Sequence, residues 1–120
     1  MLARLLMGCA VLLSLATPAR ATEELRLGIF VGNNEGSASD LPLLFAVSDA
    51  KKMHDLFVEY GKIKPSDAIM VSNGSRHVVE KAFDNIHSKI VNAKNAGQPT
   101  SVIFYYSGHG DDKALHMAST

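Results

Sequence analysis

Once its leader is removed, this sequence has no cysteine. The single one, Cys9, sits in an N-terminal stretch built like a secretory leader. Arg4 supplies a short positive start, Leu5 to Ala16 an apolar run, Pro18 a break, and Ala19-Arg20-Ala21 a small-x-small cleavage site. The apolar run is too short for a good transmembrane span, and too little apolar sequence precedes Cys9 for a lipoprotein signal. Residues 1–21 are therefore expected to be a signal peptide, and the product to be exported, periplasmic or secreted, with no membrane attachment after cleavage. Cleavage leaves no disulfide and no thiol nucleophile, so packing alone has to hold the exported domain together.

Other absences narrow the function. The formal net charge is zero; without Arg4 and Arg20, ten basic residues face twelve acidic ones, a net of −2. No Lys/Arg block or stripe occurs, which excludes a nucleic-acid partner. Gly28, Gly32 and Gly36 do not have the spacing of G-x-G-x-x-G, so no dinucleotide site follows the first strand. Ser107 is not enclosed in a G-x-S-x-G elbow. His109, Asp111, Asp112 and His116 match no strong zinc pattern and read better as a solvated loop. No metal and no cofactor is expected. With 47% hydrophobic and 20% charged residues, and no repeat or linker, residues 22–120 form one small globular unit.

What is present alternates between strand and helix signals. Leu25 to Gly32 reads as a first strand, followed by a polar loop from Asn33 to Ser39. A first helix is expected with Asp40 as N-cap and Pro42 in its first turn, running to about Tyr60 with Gly61 as its C′ residue. Pro65-Ser66-Asp67 marks a turn, Ala68 to Val71 a short strand, and Asn73-Gly74 its end. Ser75 caps a second helix in which Val79, Phe83, Ile86 and Ile90 recur at helical spacing; Gly97 and Pro99 stop it. His54, His77 and His87 lie on helices and read as surface residues. A third strand, Thr100 to Tyr106, is β-branched and aromatic, the composition of a strand buried on both faces. The order β-α-β-α-β implies parallel strands with crossovers. Its simplest sheet places strand one between strands two and three, with a switch-point crevice beyond strands one and three. Strand three is then a bare apolar edge, which points to a larger α/β domain or to a partner covering that edge.

The third strand runs into Ser107-Gly108-His109-Gly110-Asp111. A histidine at the carboxyl end of such a strand stands where open α/β sheets hold their chemistry, and an imidazole can both take up and release a proton. Gly110 offers a backbone N–H with no side chain in the way, suited to an oxyanion. Asp49 falls within the apolar arc of the first helix, shared with Ala46, Met53, Leu56 and Tyr60, so it is expected to face the core or a crevice. A structural role for Asp49 and a substrate-binding one weigh about equally.

Tyr105-Tyr106-Ser107-Gly108-His109-Gly110 resembles the catalytic-histidine block of the caspase and metacaspase family of cysteine peptidases. Ala46-Val47-Ser48-Asp49-Ala50, followed by Met53 and Leu56-Phe57, resembles the first-helix block of metacaspase-like proteins, and the strand Leu27 to Gly32 with Asn33 fits too. The resemblance implies the first half of a three-layer, caspase-like α/β sandwich with a parallel sheet over residues 22–120, and a thiol endopeptidase acting on polypeptides. His109 would match the catalytic histidine, Gly110 an oxyanion donor, and Asp49 an acidic S1 residue selecting Arg or Lys at P1. The family's nucleophile is a cysteine in a block like Asp-x-Cys-x-Gly, some tens of residues beyond the histidine and so outside this sequence. On this resemblance the chain is truncated before its nucleophile and inactive alone. The alternative is a non-catalytic pseudo-peptidase or protein-binding module.

Overall fold

Alternating side chains on one central strand, buried from its third residue on, divide the molecule into layers. The computed structural model describes residues 21–118, so the leader, apart from Ala21, lies outside the described residues. Strand β1 is Leu25–Gly32, helix α1 Ala46–Glu59, strand β2 Ala68–Ser72, helix α2 Arg76–Asn95 and strand β3 Thr100–Ser107. The sheet order is β2-β1-β3 and both pairings are parallel, as the β-α-β-α-β reading requires. Leu27, Ile29 and Val31 are wholly buried on one face against Val79, Ala82 and Ile86 of α2. Phe30, equally buried, points to the other face, where it meets His54 edge-on and Phe57 of α1. The helices therefore cover opposite faces, which makes three layers.

Gly32 sets the distance of α1 from the sheet. A Cβ there would lie 2.6 Å from the Ala46 carbonyl oxygen and from the Val47 Cα. No side chain fits, so the first turn of α1 rests directly on the carboxyl end of β1.

Several expectations are corrected. Helix α1 starts at Ala46, not next to Asp40. The Asp40 carboxylate accepts the backbone N–H and the hydroxyl of Ser37 instead, at 2.7 and 2.8 Å, and closes a turn there. Capping falls to Asn34: its side-chain oxygen accepts the Val47 N–H at 3.0 Å from thirteen residues upstream. At the other end Lys62, not Gly61, has positive φ (57°). Gly61 lies too close to the backbone of Phe57 to hold a Cβ, and the chain reverses one residue later. Along α1 the packed face is centred on Ala46, Ala50 and Phe57, leaving Leu56 and Tyr60 48% and 72% exposed. His54 belongs to that face, whereas His77 and His87 are exposed. On α2, Phe83 is half-exposed and leans on Phe104.

Strand β3 is not buried on both faces. It has a neighbour on one side only among the described residues, and Val102 and Phe104 remain about two-fifths exposed. Their apolar character exceeds what α2 covers, which is the physical signature of an edge made for further packing.

Helix α2 ends as its sequence predicts. Gly97 takes φ +66°, its N–H bonds the Lys94 carbonyl, and the Gln98 N–H bonds the Ala93 carbonyl, a complete Schellman motif. Gly97→Ala is expected to cost about 1–2 kcal/mol through the left-handed conformation, read as a lower urea midpoint at unchanged slope. A midpoint within error of wild type would contradict it.

Candidate active site

The strands remain paired to their carboxyl ends, where the Asn33 N–H donates to the Ser107 carbonyl at 2.9 Å. Beyond that point the chain after β3 folds into a small hairpin. Gly110 and Leu115 face each other across an antiparallel bridge. It is closed by Asp111 N–H to the Ala114 carbonyl (3.0 Å) and His116 N–H to the His109 carbonyl (2.8 Å). The turn itself is drawn by Asp111, whose Oδ1 accepts the N–H groups of Lys113 and Ala114 at 2.8 and 2.9 Å. Tyr106 anchors the base. Its hydroxyl lies 2.7 Å from both the His109 and the His116 carbonyl oxygens, and its single proton serves one or the other. Burial holds that phenol above the usual tyrosine range, so it stays a donor. Gly108 has no positive φ. It is needed for space, because a Cβ would run into the Tyr106 ring, 2.7 Å from its Cζ.

His109 is thereby carried at the carboxyl end of the sheet, on the arm of the hairpin nearer β3. Its Nε2 is 2.6 Å from the Leu41 carbonyl oxygen in the loop between β1 and α1. A carbonyl only accepts, so Nε2 bears the hydrogen, and the neutral imidazole keeps its lone pair on Nδ1. This is a histidine whose tautomer and ring direction are set by one backbone atom, with the basic nitrogen unbonded among the described residues. Around it the loop exposes Leu41, Leu44 and Phe45.

Gly110 follows directly and is exposed. Among the described residues its N–H makes no hydrogen bond, because the bridge engages the residues on either side of it. A donor free of internal partners next to a positioned base is the geometry an oxyanion requires.

Asp49 is placed differently from expectation. It stands in the first turn of α1, and its side chain is 48% exposed, 3.8 Å from Lys52. It flanks the packed face rather than facing the core, because that face is centred on Ala46 and Ala50. No hydrogen bond or ion pair among the described residues joins it to His109 or Gly110.

Three features escaped the sequence reading. They are the Leu41 carbonyl as partner of His109, Asn34 as the cap of α1, and His116 between two carboxylates. His116 Nδ1 lies 2.7 Å from Asp40 Oδ2, and Nε2 3.2 Å from Asp111 Oδ2. The Asp111 side of the last had a local signal; the Leu41–His109, Asn34–Val47 and Asp40–His116 bonds join residues 68, 13 and 76 positions apart. No group of three or more His, Cys, Asp or Glu among the described residues is arranged to hold a metal ion.

The family model of the peptidase C14 caspase domain matches residues 25–119, most of the chain. The chain belongs to the caspase-domain family. Its three-stranded parallel sheet and two helices are a partial α/β fold of caspase type. No curated protein and no solved structure matches the chain.

Proposed function

We propose that this caspase-domain chain carries the acid–base half of a cysteine–histidine endopeptidase site. The observation that supports it best is His109, with Nε2 committed to the Leu41 carbonyl and Nδ1 open. In that site a thiol gives its proton to Nδ1, the thiolate adds to the scissile carbonyl, and the Gly110 N–H receives the developing oxyanion. His109 then hands the proton to the leaving amine. No cysteine occurs in residues 22–120, so the thiol has to come from sequence other than these residues. The leader composition supports an exported product.

Asp49 is the proposed selector of a basic P1 side chain. Its half-exposed carboxylate can pair with Arg or Lys, and among the described residues Lys52, 3.8 Å away, is the cation that meets it. In the thiol-bearing protein, a panel of fluorogenic peptides varied at P1 is expected to show kcat/KM highest for Arg and Lys. Asp49→Asn should lower those values about tenfold, the order of a charge pair worth 1–2 kcal/mol, and leave uncharged P1 residues unchanged. Preference for Asp at P1 would refute the assignment.

One observation favours a second reading, a non-catalytic binding module. Residues 22–120 present the histidine but hold no thiol of their own. Reading the gene past Thr120 separates the two: a downstream cysteine block supports the peptidase, and a stop codon supports the module.

A further inference from the structure

The proposed chemistry leaves His116, Asp40 and Asp111 without a task, although they form the most heavily bonded side-chain group near His109. A carboxylate only accepts. An imidazole that bonds carboxylates through both nitrogens has to donate from both, so this cluster is complete only while His116 is an imidazolium. Each carboxylate is fixed in turn, Asp40 by the N–H and hydroxyl of Ser37 and Asp111 by the N–H groups of Lys113 and Ala114. The Asp40 and His116 side chains are only 17% and 22% exposed, so water competes weakly for the bond between them. Asp40 is followed directly by Leu41, whose carbonyl receives His109 Nε2. The ion cluster thus fastens together the two segments that hold His109, its own hairpin and the loop ending at Leu41.

We propose that the Asp40–His116–Asp111 clasp positions the catalytic histidine: it keeps the Leu41 carbonyl on His109 Nε2 and so keeps Nδ1 bare. The proposal rests on reading His109 as the acid–base group, but it concerns a geometry that exists without the thiol. His116 is a positioning residue.

The clasp depends on pH. The titratable groups against His116 are Asp40 from the β1–α1 loop, Asp111 from the hairpin, and the Tyr106 phenol of β3, which meets the His116 carbonyl rather than its ring. The Asp40 bond first, and the Asp111 bond second, raise His116 above its ordinary 6.5. The Ser37 hydroxyl bond leads in lowering Asp40 to about 2. The Lys113 N–H leads in lowering Asp111. A raised histidine contributes fully below its ordinary value and is lost as pH climbs through the raised one. Depressed carboxylates contribute above their ordinary 3.8 and are lost as pH falls through their lowered values. The clasp is therefore closed in mildly acid solution and opens on the alkaline side, where neutral His116 can donate from only one nitrogen.

The test is a long-range proton–nitrogen correlation titration of the histidine rings in the chain itself, from about pH 5 to about pH 9. While His116 is charged, neutral His109 should be a single tautomer protonated on Nε2. As His116 discharges, the two His109 nitrogens should shift together towards a mixture. His116→Gln should give the mixture wherever His109 is neutral. His116→Arg spans both carboxylates without titrating, so it should retain the single tautomer and lose the inflection. The proposal is overturned if folded His116→Gln keeps neutral His109 as one tautomer, or if neutral His109 stays one tautomer after wild-type His116 has discharged. The wild-type arm decides even where a variant fails to fold. Because no arm involves a thiol or a substrate, failure of the peptidase reading would leave these spectra unchanged.

Discussion

His109→Ala is expected to abolish peptide turnover by the thiol-bearing protein, with kcat falling by at least about 10²–10⁴-fold, the usual worth of a positioned acid–base group. No substitute stands nearby among the described residues. His116 has both ring nitrogens bonded to carboxylates, and the Tyr106 phenol is held protonated and faces two backbone carbonyls. Among the described residues His109 alone combines a fixed Nε2–H with an unbonded Nδ1. Its removal deprives the thiol of its proton acceptor and the leaving amine of its donor, so kcat suffers more than KM. The measurement is steady-state hydrolysis of an Arg- or Lys-P1 peptide by wild type and variant, with amide spectra confirming that both are folded. Turnover within tenfold of wild type would remove His109 from the chemistry.

Phe30→Ala is expected to cost about 3–5 kcal/mol, a large share of the roughly 5–15 kcal/mol that holds a small domain together. On the α1 face of β1, Phe30 is flanked by Gly28 and Gly32, so one ring supplies the bulk that the central strand presents to that helix. It is wholly buried, with ring centroids 5.5 Å from His54 and 5.8 Å from Phe57. Truncation leaves a void that a helix already seated on Gly32 cannot close by moving inward. Phe104→Ala is the control. Its ring is 41% exposed on the β3 edge and pairs with the half-exposed Phe83, so a loss of about 1 kcal/mol or less is expected. Urea unfolding of both variants checks the contrast, and equal losses would refute the burial assigned to the two faces.

The two variants test different levels of the same construction. Phe30 fixes α1 on the sheet, α1 is capped through Asn34, and the loop between Asn34 and α1 carries the carbonyl that orients His109. Damage to the core should therefore reach the site by loosening that loop, whereas His109→Ala should leave the core unmoved.

Periodicity and punctuation were enough to read the three strands, both helices, the sheet order and the Gly97 stop, because each rests on a residue's own backbone preference or on one face meeting one neighbour. The His109 block was legible for the same reason: a β-branched and aromatic run, then a glycine too small to strike Tyr106, is a local pattern. The start of α1 was not. Asp40 has every local quality of an N-cap, yet Ser37 and His116 bind its carboxylate and Asn34 takes over the cap. The exposure of Asp49 was missed because a helical wheel gives the direction of a side chain but not how far a neighbouring layer extends. The sequence by itself determined the β-α-β-α-β order and the histidine at the end of its last strand. Only the tertiary structure decided what that histidine is bonded to, since Leu41, Asp40 and His116 are brought together by the sheet, and no local rule links residues separated by about seventy positions along the chain.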